Sequence, residues 1–131
     1  LSNVEFINPS TLVPPTGYTH VVTVTNGKMV HIAGQVGLDA TGNLVGEGDP
    51  RAQCEQVFKN LQSALEAAGA TFHHVIKLNF YLTDVAHMPT YMEVGGQYIN
   101  LAQPPASTVV QVASLFPPIF LLEIEAVAVV P

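Results

Sequence analysis

The sequence predicts one α+β domain in two layers, with two helices lying across a single face of a β-sheet. Several runs alternate apolar and polar residues with a period of two, and one long segment carries an apolar stripe at three- and four-residue spacings. No linker, repeat or low-complexity segment divides residues 1–131, so they read as one domain. The predicted order is β-β-α-β-α-β-β, with a further short strand at residues 4–7.

Residues 21–25 and 29–33 are β-rich runs separated by Asn26-Gly27-Lys28. Asn-Gly accepts the positive φ of a tight turn, so the two runs are expected to pair as a hairpin. Residues 37–48 have loop composition, with a short strand at Leu44-Val45. Asp49-Pro50 then reads as an N-cap followed by proline at the first helical position, where its missing N–H costs nothing. Cys54, Val57, Phe58, Leu61, Leu65 and Ala68 form the stripe of this first helix, with Gln53, Lys59, Gln62 and Glu66 off it, and Gly69 ends it.

Residues 75–82 alternate, with Ile76, Leu78, Phe80 and Leu82 on one face and Lys77, Asn79 and Tyr81 on the other. Pro89 opens a second helix expected to reach about Leu101, although Gly95-Gly96 disfavours it by close to 1 kcal/mol per glycine. Strands follow at residues 108–113 and 120–130, separated by a turn at Phe116-Pro117-Pro118. The last strand sets Leu122, Ile124, Ala126 and Ala128 against Glu123, Glu125, Val127 and Val129. Two helices cover only one face of such a sheet. Its other face mixes carboxylates, Lys77, Asn79 and Tyr81 with valines, which suits a subunit interface, and clefts between subunits are common small-molecule sites.

Composition narrows the classes. Only 4 Lys+Arg and 10 Asp+Glu occur in 131 residues, a formal net charge of −6, and 48% of residues are hydrophobic. The charged fraction of 11% compares with about 25% in an average domain, so too few charges are present to cover the outside, and self-association is expected. No stretch reaches the roughly 18 apolar residues of a membrane-spanning helix. Lys28, Arg51, Lys59 and Lys77 are scattered rather than gathered into a stripe, which disfavours nucleic acid as a partner. A single cysteine, Cys54, and an N-terminus without a basic region and long apolar core lead to the expectation of a reducing, cytoplasmic compartment.

Among candidate chemistries, His20, His31, His73, His74 and His87 match no zinc spacing, and adjacent His73-His74 on a strand edge would diverge. No metal site is expected. Cys54 lies on the helix stripe without an adjacent cation, which makes it a packed thiol. The segment Gly42-Asn43-Leu44-Val45-Gly46-Glu47-Gly48 lacks the Gly-Lys-Ser/Thr of a phosphate loop. Glu123 and Glu125 share one face of an otherwise apolar strand, where carboxylates are costly unless paired or wet. They are either a solvated interface face or a carboxylate held in a cleft to orient water.

The runs Gln56-Val57-Phe58-Lys59-Asn60-Leu61, Leu65-Glu66-Ala67-Ala68-Gly69-Ala70, Val75-Ile76-Lys77 and Tyr81-Leu82-Thr83-Asp84 resemble the reactive intermediate deaminase (Rid, YjgF-like) family. Gly17-Tyr18, Ile32-Ala33-Gly34-Gln35 and Glu123-Ile124-Glu125-Ala126-Val127-Ala128 extend the match over nearly the whole length. The resemblance implies a chorismate-mutase-like fold and a homotrimer whose sheets form a central barrel with clefts between subunits. It also implies hydrolysis of reactive imines and enamines such as 2-aminoacrylate to a 2-oxo acid and ammonia, with no cofactor and no metal. Carried over by position, Tyr18 lines the cleft, Gly34 offers backbone contacts, and Glu123 orients water or relays a proton.

One element departs from the family pattern. Active deaminases read Pro-Ala-Arg-Ser/Thr before the penultimate strand, and that arginine clamps the substrate carboxylate. This chain reads Pro105-Ala106-Ser107-Thr108, with Ser107 at the arginine's place, Val109 at that of a frequent cysteine, and Met92 for a polar residue at the cleft rim. Losing one partner of a buried charge pair costs about 3–5 kcal/mol, so weak or no 2-aminoacrylate deamination is expected. Three readings follow: a protein acting on a small imine, enamine or related carbonyl compound, a non-catalytic metabolite-binding module, or an endoribonuclease or translation inhibitor, a label also attached to the family. The negative charge disfavours the last.

Overall fold

A computed structural model of the chain describes residues 3–131. The strands are β1 (Val4–Ile7), β2 (Val21–Val24), β3 (Lys28–Gln35), β4 (Val75–Leu82), β5 (Ala106–Gln111) and β6 (Leu122–Val130), and the helices are α1 (Pro50–Ala67) and α2 (Met88–Gly95). The main sheet is 4-stranded with the order β3-β6-β4-β5. β4 and β5 are parallel and the remaining pairs antiparallel. Both helices pack on one face, giving the expected two-layer α+β architecture. No helix among the described residues is long and apolar enough to cross a membrane.

α1 forms where the sequence places it. The Asp49 side chain accepts a hydrogen bond from the Ala52 N–H at 3.1 Å, and Pro50 occupies the first turn. Cys54, Val57, Phe58, Leu61 and Leu65 are fully buried against Leu78, Leu82, Leu122, Ile124 and Ala128 of the sheet. Gln53, expected off the stripe, is also fully buried. Its amide donates to Gly46 O (3.0 Å) and Ile119 O (3.3 Å) and accepts from the Leu121 N–H (2.9 Å). Three backbone groups that neither helix nor sheet satisfies therefore find a partner in one side chain, and α1 is tied to the loops on either side of it. Asn60 acts in the same way on the loop after β3, donating to Val36 O and Leu38 O.

The hairpin expected at Asn26-Gly27 does not form. β2 pairs with β1 in a separate 2-stranded ribbon, and β3 pairs with β6. Asn-Gly still turns the chain, with Gly27 at φ +124°, but as a corner between two sheets. Asn3 takes the partnership a hairpin would have supplied: its carbonyl accepts from the Thr25 N–H at 3.0 Å and its side chain donates to Asn26 O at 2.6 Å. A Cβ on Gly27 would lie 2.7 Å from Val130 O, so glycine is required by this close approach as well as by φ. The ribbon corner buries Val129 on the face of the sheet away from the helices.

α2 ends at Gly95 rather than near Leu101. The chain continues in turns, with the Gln97, Tyr98 and Ile99 N–H groups bonded back to Val94 and Gly95 carbonyls, and Tyr98 stacks on Phe58 with centroids 5.2 Å apart. A cost of roughly 1 kcal/mol for each of two adjacent glycines exceeds what another turn of exposed helix returns. Gly95 also packs tightly, since a Cβ there would lie 3.0 Å from Phe58. Smaller shifts occur elsewhere: β5 starts two residues early, β6 begins at Leu122, and Leu44 forms only an isolated bridge to Leu38.

Replacing Gln53 by Leu keeps the volume and strands the Leu121 N–H and Ile119 O, while Gly46 O keeps the Asp49 N–H. Unsatisfied buried groups cost about 1–3 kcal/mol each, so a loss of about 3 kcal/mol is expected after partial relaxation, read from the urea unfolding midpoint. A change under 1 kcal/mol would show that water replaces the amide.

Candidate functional site

The loop before β2 is fastened to the segment that begins β5. The Thr19 N–H donates to Pro105 O at 3.2 Å and its hydroxyl to Pro104 O at 2.5 Å. His20 adds two ties within the loop, from its N–H to Asn8 Oδ1 (2.9 Å) and from its ring Nε2 to Val13 O (2.6 Å). The His20 ring meets Tyr18 edge to face at 5.0 Å, and Gly17 turns the backbone at φ +77°. Tyr18 and Ser107 therefore share one scaffold.

A cavity of about 350 Å³ opens between this loop, α2 and β5. Tyr18, Met92, Ser107 and Val109 all line it, together with Phe80 and Leu101. Met92, 54% exposed, stands at its rim. The wall is largely apolar and includes no charged side chain. Arg51 is engaged elsewhere, in an exposed ion pair with Glu93 at 2.9 Å. The Ser107 hydroxyl has only a 3.5 Å contact to Pro105 O, which leaves it available as a donor.

Gly34 and Glu123 lie on the other side of the sheet. Ser107 pairs with Leu78 and Val109 with Phe80, which places both on the helix-covered face, whereas Glu123 pairs with Tyr81 on the open face. Near the register irregularity between Ile32 and Gln35, the Glu123 carboxylate packs over Gly34 so closely that a Cβ there would overlap it. Glycine at 34 thus sets where this carboxylate rests. Within one chain the structure brings Tyr18, Met92, Ser107 and Val109 together, and Gly34 with Glu123, but not the first set with the second.

The second acid, Glu125, is partnered. Tyr81 donates its hydroxyl to Glu125 Oε1 at 2.6 Å and Asn79 its amide at 3.0 Å. These bonds, Tyr81's foremost, hold Glu125 below the usual carboxylate range, and the same bond pushes the Tyr81 hydroxyl up. Lys77 on this face donates to Thr108 at 2.9 Å. Glu125 is therefore a structural acid.

Two features escape the sequence pattern. Tyr91 lines the cavity with its hydroxyl buried and without a partner among the described residues, and burial pushes its pKa up to about 12. Nothing in an i, i+3, i+4 pattern distinguishes such a tyrosine from ordinary core. The His20 and Thr19 ties are likewise invisible, because they join segments 85 residues apart in the case of Thr19 and Pro104. Cys54 is a packed thiol as expected, pushed up to about 12 by burial. No group of three or more His, Cys, Asp or Glu side chains converges among the described residues.

Comparison with known proteins places these features in context. A family model described as Endoribonuclease L-PSP matches residues 9–130. Protein DfrA of Myxococcus xanthus is 40% identical over 112 residues, covering 86% of this chain and 84% of its own length. A human 2-iminobutanoate/2-iminopropanoate deaminase is 34% identical over 112 residues, covering 86% and 79%. Among solved structures, YyfB of Yersinia pestis, described as a protein of unknown function of the conserved Rid protein family, superposes with a TM-score of 0.86 at 37% identity over 98% of this chain and 99% of its own.

Because Glu125 has its folded-state pKa below the ordinary 4.5, it stabilises the fold above that pH and loses its contribution as pH falls. Tyr81→Phe removes the larger of its two donors, so the Glu125 pKa rises towards 4.5 and acid unfolding begins at higher pH. NMR titration of the side-chain carboxyl carbon measures the shift, and an unmoved pKa would assign it to Asn79 instead.

Proposed function

We propose that this chain, which belongs to the Endoribonuclease L-PSP family of YjgF/Rid proteins, binds and hydrolyses a small uncharged imine, enamine or related carbonyl compound in a cleft completed between copies of itself. The observation that carries the reading is a cavity holding Tyr18, Met92, Ser107 and Val109 with no charged side chain in its wall. An anionic 2-imino acid entering it would leave its carboxylate unpaired, at a cost of about 3–5 kcal/mol relative to a site with a guanidinium. The names of the deaminase relatives supply the reaction class, and the lining of this cavity argues for a neutral member of it.

The separation of the two sets of residues supports a shared cleft. β3 and β5 are the two edges of the sheet, and β5 is exposed from Thr108 to Gln111. Open strand edges invite pairing with another chain, and a head-to-tail ring closes them all. Edge pairing alone keeps the two faces of the sheet apart, so this reading also requires the open face of the second copy, with Gly34 and Glu123, to turn against the cavity mouth of the first. A homotrimer, as in the family pattern, satisfies this arrangement.

In such a cleft Glu123 takes a proton from water as its oxygen attacks the C=N carbon. It returns that proton to the nitrogen to give the carbinolamine, then takes the carbinolamine's hydroxyl proton and passes it to the departing nitrogen as the C–N bond breaks, releasing ammonia and leaving a carbonyl product. Ser107 donates a hydrogen bond to a neutral polar group of the substrate. The endoribonuclease reading rests on the description of the family model alone, because Lys28, Arg51 and Lys77 are engaged with Ala68 O, Glu93 and Thr108 at separate places rather than forming a stripe.

Imines generated by an amino-acid or amine oxidase, with ammonia release followed, test the activity. Neutral imines should turn over faster than 2-aminoacrylate, and Glu123→Gln should lose about a hundredfold or more. Ser107→Arg should raise 2-aminoacrylate turnover by about a hundredfold, the lower end of what restoring a charge pair provides. Absence of turnover on every imine, with saturable ligand-induced rises in Tm, would replace hydrolysis by binding alone.

Gly34→Ala gives an independent check. The displaced atoms are the Glu123 side chain from Cγ outward and no backbone, so Tm should stay within a few degrees while turnover falls to near that of Glu123→Gln. Full activity in this variant would remove Glu123 from the reaction.

A further inference from the structure

The cavity described above has a neighbour. A second hollow of about 400 Å³ lies on the other side of Gly17, Tyr18 and Leu101, which line both. The two differ in chemistry. The first is walled by Phe80, Met92, Ile99 and Val109, whereas the second is rimmed by Asn8, Thr19 and Gln103 and has a mostly polar wall. Neither includes a charged side chain.

Exposed polar groups of the second hollow are free to exchange water for a ligand. Asn8 Oδ1 accepts from the His20 N–H and the Thr19 hydroxyl is committed to Pro104 O. The Asn8 amide nitrogen and both ends of the Gln103 side chain make no hydrogen bond among the described residues. Donors and an acceptor without net charge match a carboxamide, which offers one of each kind, better than a carboxylate, which only accepts and brings an unpaired charge.

We propose that the two hollows form one bipartite site whose ligand is neutral throughout, with an aliphatic or aromatic body beside Ser107 and an amide-bearing extension reaching past Tyr18 to Gln103 and Asn8. This rests on the reading of the first cavity as the substrate pocket and adds the class of substrate, a carbonyl or imine compound in amide linkage rather than a free 2-imino acid. Gln103 is then a specificity-determining residue.

Three ketones with one isobutyl body test it by calorimetry: 4-methyl-2-pentanone, 4-methyl-2-oxopentanoyl-glycinamide, and 4-methyl-2-oxopentanoyl-glycine, the near-isosteric acid. The glycinamide should bind about tenfold tighter than either of the others, the return expected from one or two neutral hydrogen bonds. Gln103→Ala should bring the ratio of glycinamide to methyl ketone close to one, and because Gln103 is exposed the variant should fold, which a far-ultraviolet spectrum checks. Equal binding by all three, tighter binding of the acid, or a ratio that survives Gln103→Ala overturns the bipartite site alone. No binding by any of them overturns it together with the substrate-pocket reading.

Discussion

The two-residue period of β6 is the constraint on which the molecule depends. Leu122, Ile124, Ala126 and Ala128 are buried under α1, and the same alternation obliges Glu123 and Glu125 to face away from the helices. A slip by one residue would drive two carboxylates into the core. Because both helices lie on one side, the carboxylate face is left to water or to another chain. The fold therefore separates an apolar cavity on the helix side from an acid on the open side, and chemistry that needs both requires a second copy.

Much of the architecture was legible in the sequence because it rests on local signals: Asp49-Pro50 at a helix start, the stripe from Cys54 to Leu65, and alternation in β4 and β6. The misreadings share a different origin. β2 and β3 look like a hairpin from the turn between them, but strand pairing is a contest between partners, and β1 with Asn3 wins β2. Gln53 looks like a surface residue by type. Its burial depends on two orphan backbone groups, Ile119 O and the Leu121 N–H, and on a shared bond to Gly46 O, none of which the helix pattern announces.

The site was legible to the extent that single residues carry it. Tyr18, Met92, Ser107 and Val109 do meet at one cavity, and Gly34 does sit under Glu123. What the sequence could not express is which side of the sheet each faces relative to the others, since that follows from the parallel register of β5 on β4. With a hydroxyl at position 107 and no charged side chain in its wall, the cavity offers an anion no partner. Family membership thus identifies the scaffold more firmly than it identifies a reaction or a ligand.

The loop carrying Tyr18 is moored to Pro104 and Pro105 and to the β1–β2 ribbon, and that ribbon shares no ladder with the main sheet. Substitutions there perturb a small outlying module, and the packed layer of α1 on β4 and β6 carries on unaffected. The rim of the cavity is thus open to change at lower thermodynamic risk than the helix-on-sheet layer beneath it.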